Sequence, residues 1–323
     1  MIKNKRFKSF VGTFVLVVFG LLVAWYVSKN WNEFASIAIT DPFLLVTTLI
    51  IMSVNIYASG AVVDLAMEPH GVKVSRYEAF GLANITRFSN QLSPAYIGAA
   101  IRASYMKRVH KVSYAKFSSS FVVNNLLQLV ISGILALAAY FMLGSSTGDT
   151  HALIIVGVIL MLFIIALLIP VGPYVRILKK LRKKSGAKLG KVYERLEELL
   201  HGYTTVRKHP GILERTIGWM LIISLTSAIS LMWSYGTIGV QIDFITALFI
   251  SALSGWAVVF SVTPGGIGIK EGLMIVAAQI AGVSVASTLV VAILLRLLMF
   301  IASGIFSFYF TPRLLKRGLD DAK

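Results

Sequence analysis

The sequence predicts an all-α membrane protein: a polytopic bundle of about six full spans plus two re-entrant half-helix hairpins in an inverted repeat. Three observations lead there. Apolar residues make up 57% of the 323-residue chain and charged ones only 14%, at a mean hydropathy of +0.80, where soluble domains carry about a quarter charged residues. The apolar residues gather in blocks of about 18 or more, enough to cross roughly 30 Å of hydrocarbon. Two of the apolar segments are interrupted by similar Pro- and Gly-containing breaks. No polar stretch is long enough to fold as a separate soluble domain, so residues 1–323 read as one integral membrane domain.

Element by element, Lys3, Lys5, Arg6 and Lys8 precede an apolar run from Phe10 to Val27. It lacks a clean small-residue cleavage site and is read as the first span, running outward. Phe43 to Met67 returns. Tyr77 to Leu92 and Ala95 to Tyr105 are each too short to cross alone, and basic residues flank both sides at Lys73, Arg76, Lys107, Arg108 and Lys111. A hairpin over 77–105 that enters and leaves by the cytoplasmic face fits this pattern, and such backbone needs protein or a water-filled cavity around it. Phe117 to Leu143 leads out and Ala152 to Val171 comes back, closing a first half whose hairpin lies within 1–143. Between Tyr174 and Pro210 stand eleven Lys or Arg against three Glu, with apolar residues at helical spacing. The segment 174–210 is expected to lie on inner-leaflet lipids as basic amphipathic helices. The second half, 211–323, holds the outward span Ile217 to Tyr235, a hairpin over 244–281 entered from outside, and the last span Thr288 to Phe310.

This topology leaves Lys29 as the outer loops' one basic residue and puts both termini in the cytoplasm, the expected positive-inside arrangement for a multi-pass protein of the cell membrane. The formal charge of +17 is therefore assigned to loops facing anionic lipid rather than to nucleic acid. Cysteine is absent, the five His show no metal spacing, and no nucleotide phosphate loop or catalytic triad is visible. No cofactor is implied, and a homo-oligomer is left open.

The breaks read Ser93-Pro94-Ala95-Tyr96-Ile97-Gly98 and Thr263-Pro264-Gly265-Gly266-Ile267-Gly268. Each has hydroxyl, Pro, two residues, Ile and Gly. Pro stops a helix by removing an N–H and clashing with the preceding turn, and Gly permits the tight turn. Matching interrupted helices in oppositely oriented halves point to a transporter site. The N-terminus of each second half-helix is expected to offer an anion site.

Charges inside apolar segments usually line cavities or pair, since one at the bilayer centre costs at least about 2.5 kcal/mol. The candidate binding set is Arg87, Asn90, Pro94, Gly98, Arg102, Pro264, Gly265, Gly266, Gly268, Lys270, Glu271 and Arg296, facing a shared cleft. A structural pair between Glu271 and Arg296 is the competing reading for those two. Asn124, Asn125 and Gln128 are read as interhelical contacts.

Gly71-Val72-Lys73-Val74-Ser75 with Glu78-Ala79-Phe80, then Asn90, Pro94, Gly98 and Arg102, then Thr263 to Gly268 with Glu271 and Arg296, resemble the transmembrane domain of lysylphosphatidylglycerol synthases over nearly the whole chain. The resemblance implies a flippase-like protein that translocates lipid. In two respects the chain departs from that family. Ala99 stands where the family usually has Glu, and no soluble aminoacyl-transferring domain follows the last span. The expectation is a non-enzymatic translocator of a phospholipid or polyprenyl-linked lipid with an anionic headgroup. Its rivals are an intramembrane lipid-modifying enzyme and a non-catalytic partner that recruits a cytoplasmic enzyme through 174–210.

Overall fold

The computed structural model describes residues 37–92, 97–144, 210–260 and 266–320, together with parts of 21–35 and 176–193 and residue 157. The expected spans Phe10–Val27 and Ala152–Val171, the basic tract 174–210, and residues 93–96 and 261–265 of the breaks lie wholly or largely outside them. The described residues are mostly helical, with no strand among them.

A short helix at Trp31–Ala35 precedes α1 (Pro42–Met67). The Asp41 carboxylate caps α1 by accepting from the amides of Phe43 and Leu44, and Pro42 opens the first turn. Glu68-Pro69 converts its end to a 3-10 turn, which Gly71 closes at φ 76°. Next come α2 (Arg76–Leu92) and α3 (Ile97–Val109), of 17 and 13 residues. Then α4 (Tyr114–Leu143) starts where the Ser113 hydroxyl accepts from the Lys116 amide. The second half repeats this order as α5 (Pro210–Thr237), α6 (Phe244–Ser254), α7 (Ile269–Ile280) and α8 (Val285–Asp320). Among the described residues, four segments are long and apolar enough to cross a membrane: Pro42–His70, Tyr114–Leu143, Pro210–Thr237 and Val285–Arg317. α4, α5 and α8 overrun the expected apolar blocks by several residues, and for α4 the Ser113 cap sets the earlier start.

The principal packing pairs are α1 with α5, α2 with α8, and α4 with α6. Exchanging the halves maps this set onto itself. The paired helices run antiparallel. At one end of α1 and α5 the Thr40 amide and hydroxyl donate to the Thr237 carbonyl, and at the other Arg215 Nη2 meets Glu68 at 3.0 Å. Along α2 and α8, Gly81 lies against Phe310 while Phe88 reaches Gly304. Along α4 and α6, Tyr140 meets Phe249 and Ser132 meets Gly255.

Besides a small apolar cluster around Met52, Ile56 and Leu298, two larger apolar cores follow from this. One joins α6 and α7 to α4 and α5 around Phe249, Tyr235 and Leu231. The other joins α2 and α3 to the ends of α1 and α8 around Met106, Leu82 and Phe310. Glu78, at the start of α2, accepts from His110 just past α3 and from Arg317 Nη1 on α8 at 3.1 Å, so the outer ends of α2 and α3 meet.

Candidate functional site

Where the halves meet, the bundle holds a half-open cavity of about 240 Å³ adjoined by a second of about 390 Å³, with the polar residues Asn55, Arg87, Ser227, Ser251, Ser254 and Lys270 common to both walls. Every long element but α3 contributes a lining residue: Asn55 from α1, Arg87 from α2, Gln128 from α4, Ser227 from α5, Ser254 from α6, Lys270 from α7 and Arg296 from α8.

Arg87 is held from beneath. Its Nη2 donates to Asn55 Oδ1 at 2.8 Å and to Ser59 Oγ at 2.7 Å, both neutral. Asn55 can accept from Arg87 because its amide nitrogen points the other way, toward the Ile223 carbonyl and the Thr226 hydroxyl, each 2.8 Å away. The guanidinium is thereby oriented without being neutralised. Gln91, one turn along the same face, donates to Ser303 on α8 at 3.3 Å.

Glu271 is nearly enclosed, with one oxygen facing the Arg296 guanidinium and the other accepting from the Gly268 amide at 2.8 Å. This carboxylate already occupies the end of α7, where an anion site was expected. The repeat-equivalent amide, that of Gly98 on α3, donates in the same way to Asn90 Oδ1 at 2.8 Å. In both halves a side chain of the protein caps the second half-helix. Any outside anion must therefore look to side-chain cations.

Lys270 is such a cation. It is exposed to the cavity and makes no hydrogen bond or ion pair among the described residues. The first cavity's described lining carries Arg87, Lys270 and Arg296 against Glu271, three cations to one carboxylate.

Of the other expected site residues, Arg102 is 6% exposed and lies off the cavity walls, donating to the Thr86 hydroxyl at 3.0 Å and toward the Leu82 carbonyl. It ties α3 to α2. Gly266 is buried at φ 68° and Gly268 has φ 89°, conformations that favour glycine. Pro94, Pro264 and Gly265 lie outside the described residues. Gln128 donates to Ser224 on α5 at 3.1 Å and, like Asn125, lines the second cavity. Sequence reasoning missed Asn55 and the serines. The available signal was the spacing of Ser224, Ser227, Ser230 and Ser234, three or four apart in an otherwise apolar span, which sets them on one helix face.

Comparison with curated proteins gives no match. A family model does match, that of the lysylphosphatidylglycerol synthase TM region, over residues 11–307. With nearly the whole chain covered, and with apolar helices consistent with a multi-pass membrane protein of lipid-related function, this protein belongs to the lysylphosphatidylglycerol synthase TM family.

Proposed function

We propose that the protein is a translocase that moves a phosphate-bearing lipid between leaflets by alternating access around the central cavity. The observation that carries this reading is the pair Arg87 and Lys270, two cations with no carboxylate partner among the described residues, on the walls of one cavity. Inside a helical membrane protein such charges mark a substrate or ion path, and a phosphate is the counter-charge they suit.

The antiparallel pairing of α1 with α5, helices at equivalent places in the two halves, supports an inverted repeat. The junction of Glu78 with His110 supports a re-entrant α2–α3 pair that starts and ends on one face, the face carrying Lys73, Arg108 and Arg317. By the positive-inside bias that face is cytoplasmic, in the cell membrane, with both termini on it. Translocation rather than chemistry is proposed because both oxygens of Glu271 are engaged, leaving it poorly placed as an acid or base.

The test is transbilayer movement in proteoliposomes, using fluorescent phospholipids and a polyprenyl phosphate, with and without an imposed ion gradient. Lys270→Gln and Arg87→Gln should each slow movement by about tenfold or more, the size of one charge-assisted hydrogen bond, while melting near the wild-type temperature. A folded wild-type protein that moves none of these lipids under any gradient contradicts the reading.

A further inference from the structure

The contacts that cross between the halves differ at the two ends of the bundle. At the end carrying Lys73, Arg108 and Arg317, two ion pairs among the described residues run from one half to the other. Arg215 Nη2 on α5 donates to both oxygens of Glu68, at 3.1 and 3.0 Å, and Arg317 Nη1 on α8 donates to Glu78 Oε2 at 3.1 Å. The Arg76 guanidinium adds a third link, 5.7 Å from the centre of the Trp219 ring on α5. At the other end the halves meet through neutral groups, the Thr40 amide and hydroxyl on the Thr237 carbonyl. The acids there, Asp41 and Asp243, cap their own helices. A perfect inverted repeat would treat its two ends alike, so the charged links are an addition to one face.

Each crossing pair can also part without stranding a group. A buried pair that loses one partner ordinarily leaves an uncompensated charge. When Arg317 withdraws, however, Glu78 keeps His110 of its own half, and this carboxylate, 1% exposed, is not left bare. Arg215 keeps its own helix, with Nε on the Gly211 carbonyl at 3.1 Å. Both guanidiniums lie on the rim, with 54% of the Arg215 side chain and 51% of the Arg317 side chain exposed, so water can take them up. The Glu271–Arg296 pair differs on the main point: it joins two helices of the same half.

We propose that Glu78 with Arg317, and Glu68 with Arg215, form a gate at the cytoplasmic face, a pair of ionic links that must open before the central cavity reaches that side. His110 is a positioning residue, holding the Glu78 carboxylate while the gate stands open. This rests on the alternating-access reading and adds which face is locked and by which side chains.

The experiment uses the cysteine-free chain carrying Ser230→Cys on the cavity wall, labelled by a membrane-impermeant maleimide in right-side-out and in inverted vesicles. Adding Arg317→Gln and Arg215→Gln together should speed labelling from the cytoplasmic face by about tenfold, the size of one charge-assisted hydrogen bond. Labelling from the opposite face should slow, because the population moves from one state to the other. Arg215→Gln alone should change the rates by less than about threefold, since an exposed pair is weak. Arg215→Glu, which sets like charges together, should open the gate, and Glu68→Arg beside it should close it again. With Ser230→Cys labelled from both faces, two results overturn the gate and leave alternating access standing. One is a double variant that melts near the wild-type temperature and labels unchanged, or faster from both faces alike. The other, decisive even where the double variant does not fold, is failure of Glu68→Arg to reverse Arg215→Glu. Labelling from a single face in Ser230→Cys and in every variant overturns alternating access, and the gate with it.

Discussion

Arg87, Arg102 and Arg296 are chemically identical side chains in apolar surroundings, and the fold gives them three different tasks. Arg296 faces Glu271, Arg102 faces a hydroxyl and a carbonyl, and Arg87 faces neutral groups beside a cavity. Among the described residues neither Arg102 nor Arg87 meets a carboxylate, and of these two it is Arg87 that lines the cavity. The Glu271–Arg296 pair has a testable signature. Breaking a buried pair costs roughly 3–5 kcal/mol, and Glu271→Gln should sit at the lower end because the Arg296 side chain keeps 27% of its exposure. In a thermal-unfolding cycle, Glu271→Gln combined with Arg296→Gln should be less destabilised than the sum of the single changes. Additive effects would show that the pair contributes no coupling. The four charges of the site were legible in the sequence as charges beside or within apolar segments. The pairing of Glu271 with Arg296 was legible too, as the alternative to substrate contact; what Arg87 faces was not, because its partners Asn55 and Ser59 stand 32 and 28 residues away. Arg102 was more decipherable than its residue type suggests. It lies four residues after Gly98, hence on the same helix face, and Gly98 is the residue that touches α2 at Thr86.

The interrupted pairs α2–α3 and α6–α7 give the elements their specificity. At Gly98 an added Cβ would lie 2.2 Å from the Thr86 carbonyl oxygen and 2.8 Å from Asn90 Oδ1, so the two arms approach as closely as backbone allows. Gly272, on the corresponding arm α7, has nothing within 4 Å of such a Cβ. Gly98→Ala should therefore lower the unfolding temperature, at a cost of about 1–3 kcal/mol or more. Gly272→Ala should be neutral or stabilising by up to about 1 kcal/mol, since a helical glycine is replaced without a clash. Comparable melting of the two variants would contradict the packing of α3 on α2. The Pro-Gly breaks made these pairs visible in the sequence. The helix ends were harder to read: the Ser113 cap starts α4 three residues before the apolar block, whereas α6 ends at Ser254, well short of the apolar run that continues to Val262. The serine wall was invisible for a different reason. A serine bonded back to its own helix and one turned toward a ligand look the same in a sequence, and only the neighbouring helices decide.

At the scale of the molecule, helices from both halves of the chain line the two adjoining cavities. Each half supplies a long helix, an interrupted pair and a second long helix, and each interrupted pair packs on the last helix of the opposite half. A rocking of one half against the other would open the cavity first to one face and then to the other, which a lipid headgroup carrier requires. Absence of cysteine makes this accessible to a direct measurement. Ser230→Cys places a single thiol on the cavity wall, and a membrane-impermeant maleimide can be applied to right-side-out or inverted vesicles in turn. Alternating access predicts that the thiol is labelled from both faces, with each rate reduced by a bound phosphate-bearing lipid. Labelling from one face alone, whatever lipid or ion gradient is supplied, would contradict a passage between leaflets and leave the cavity a one-sided pocket.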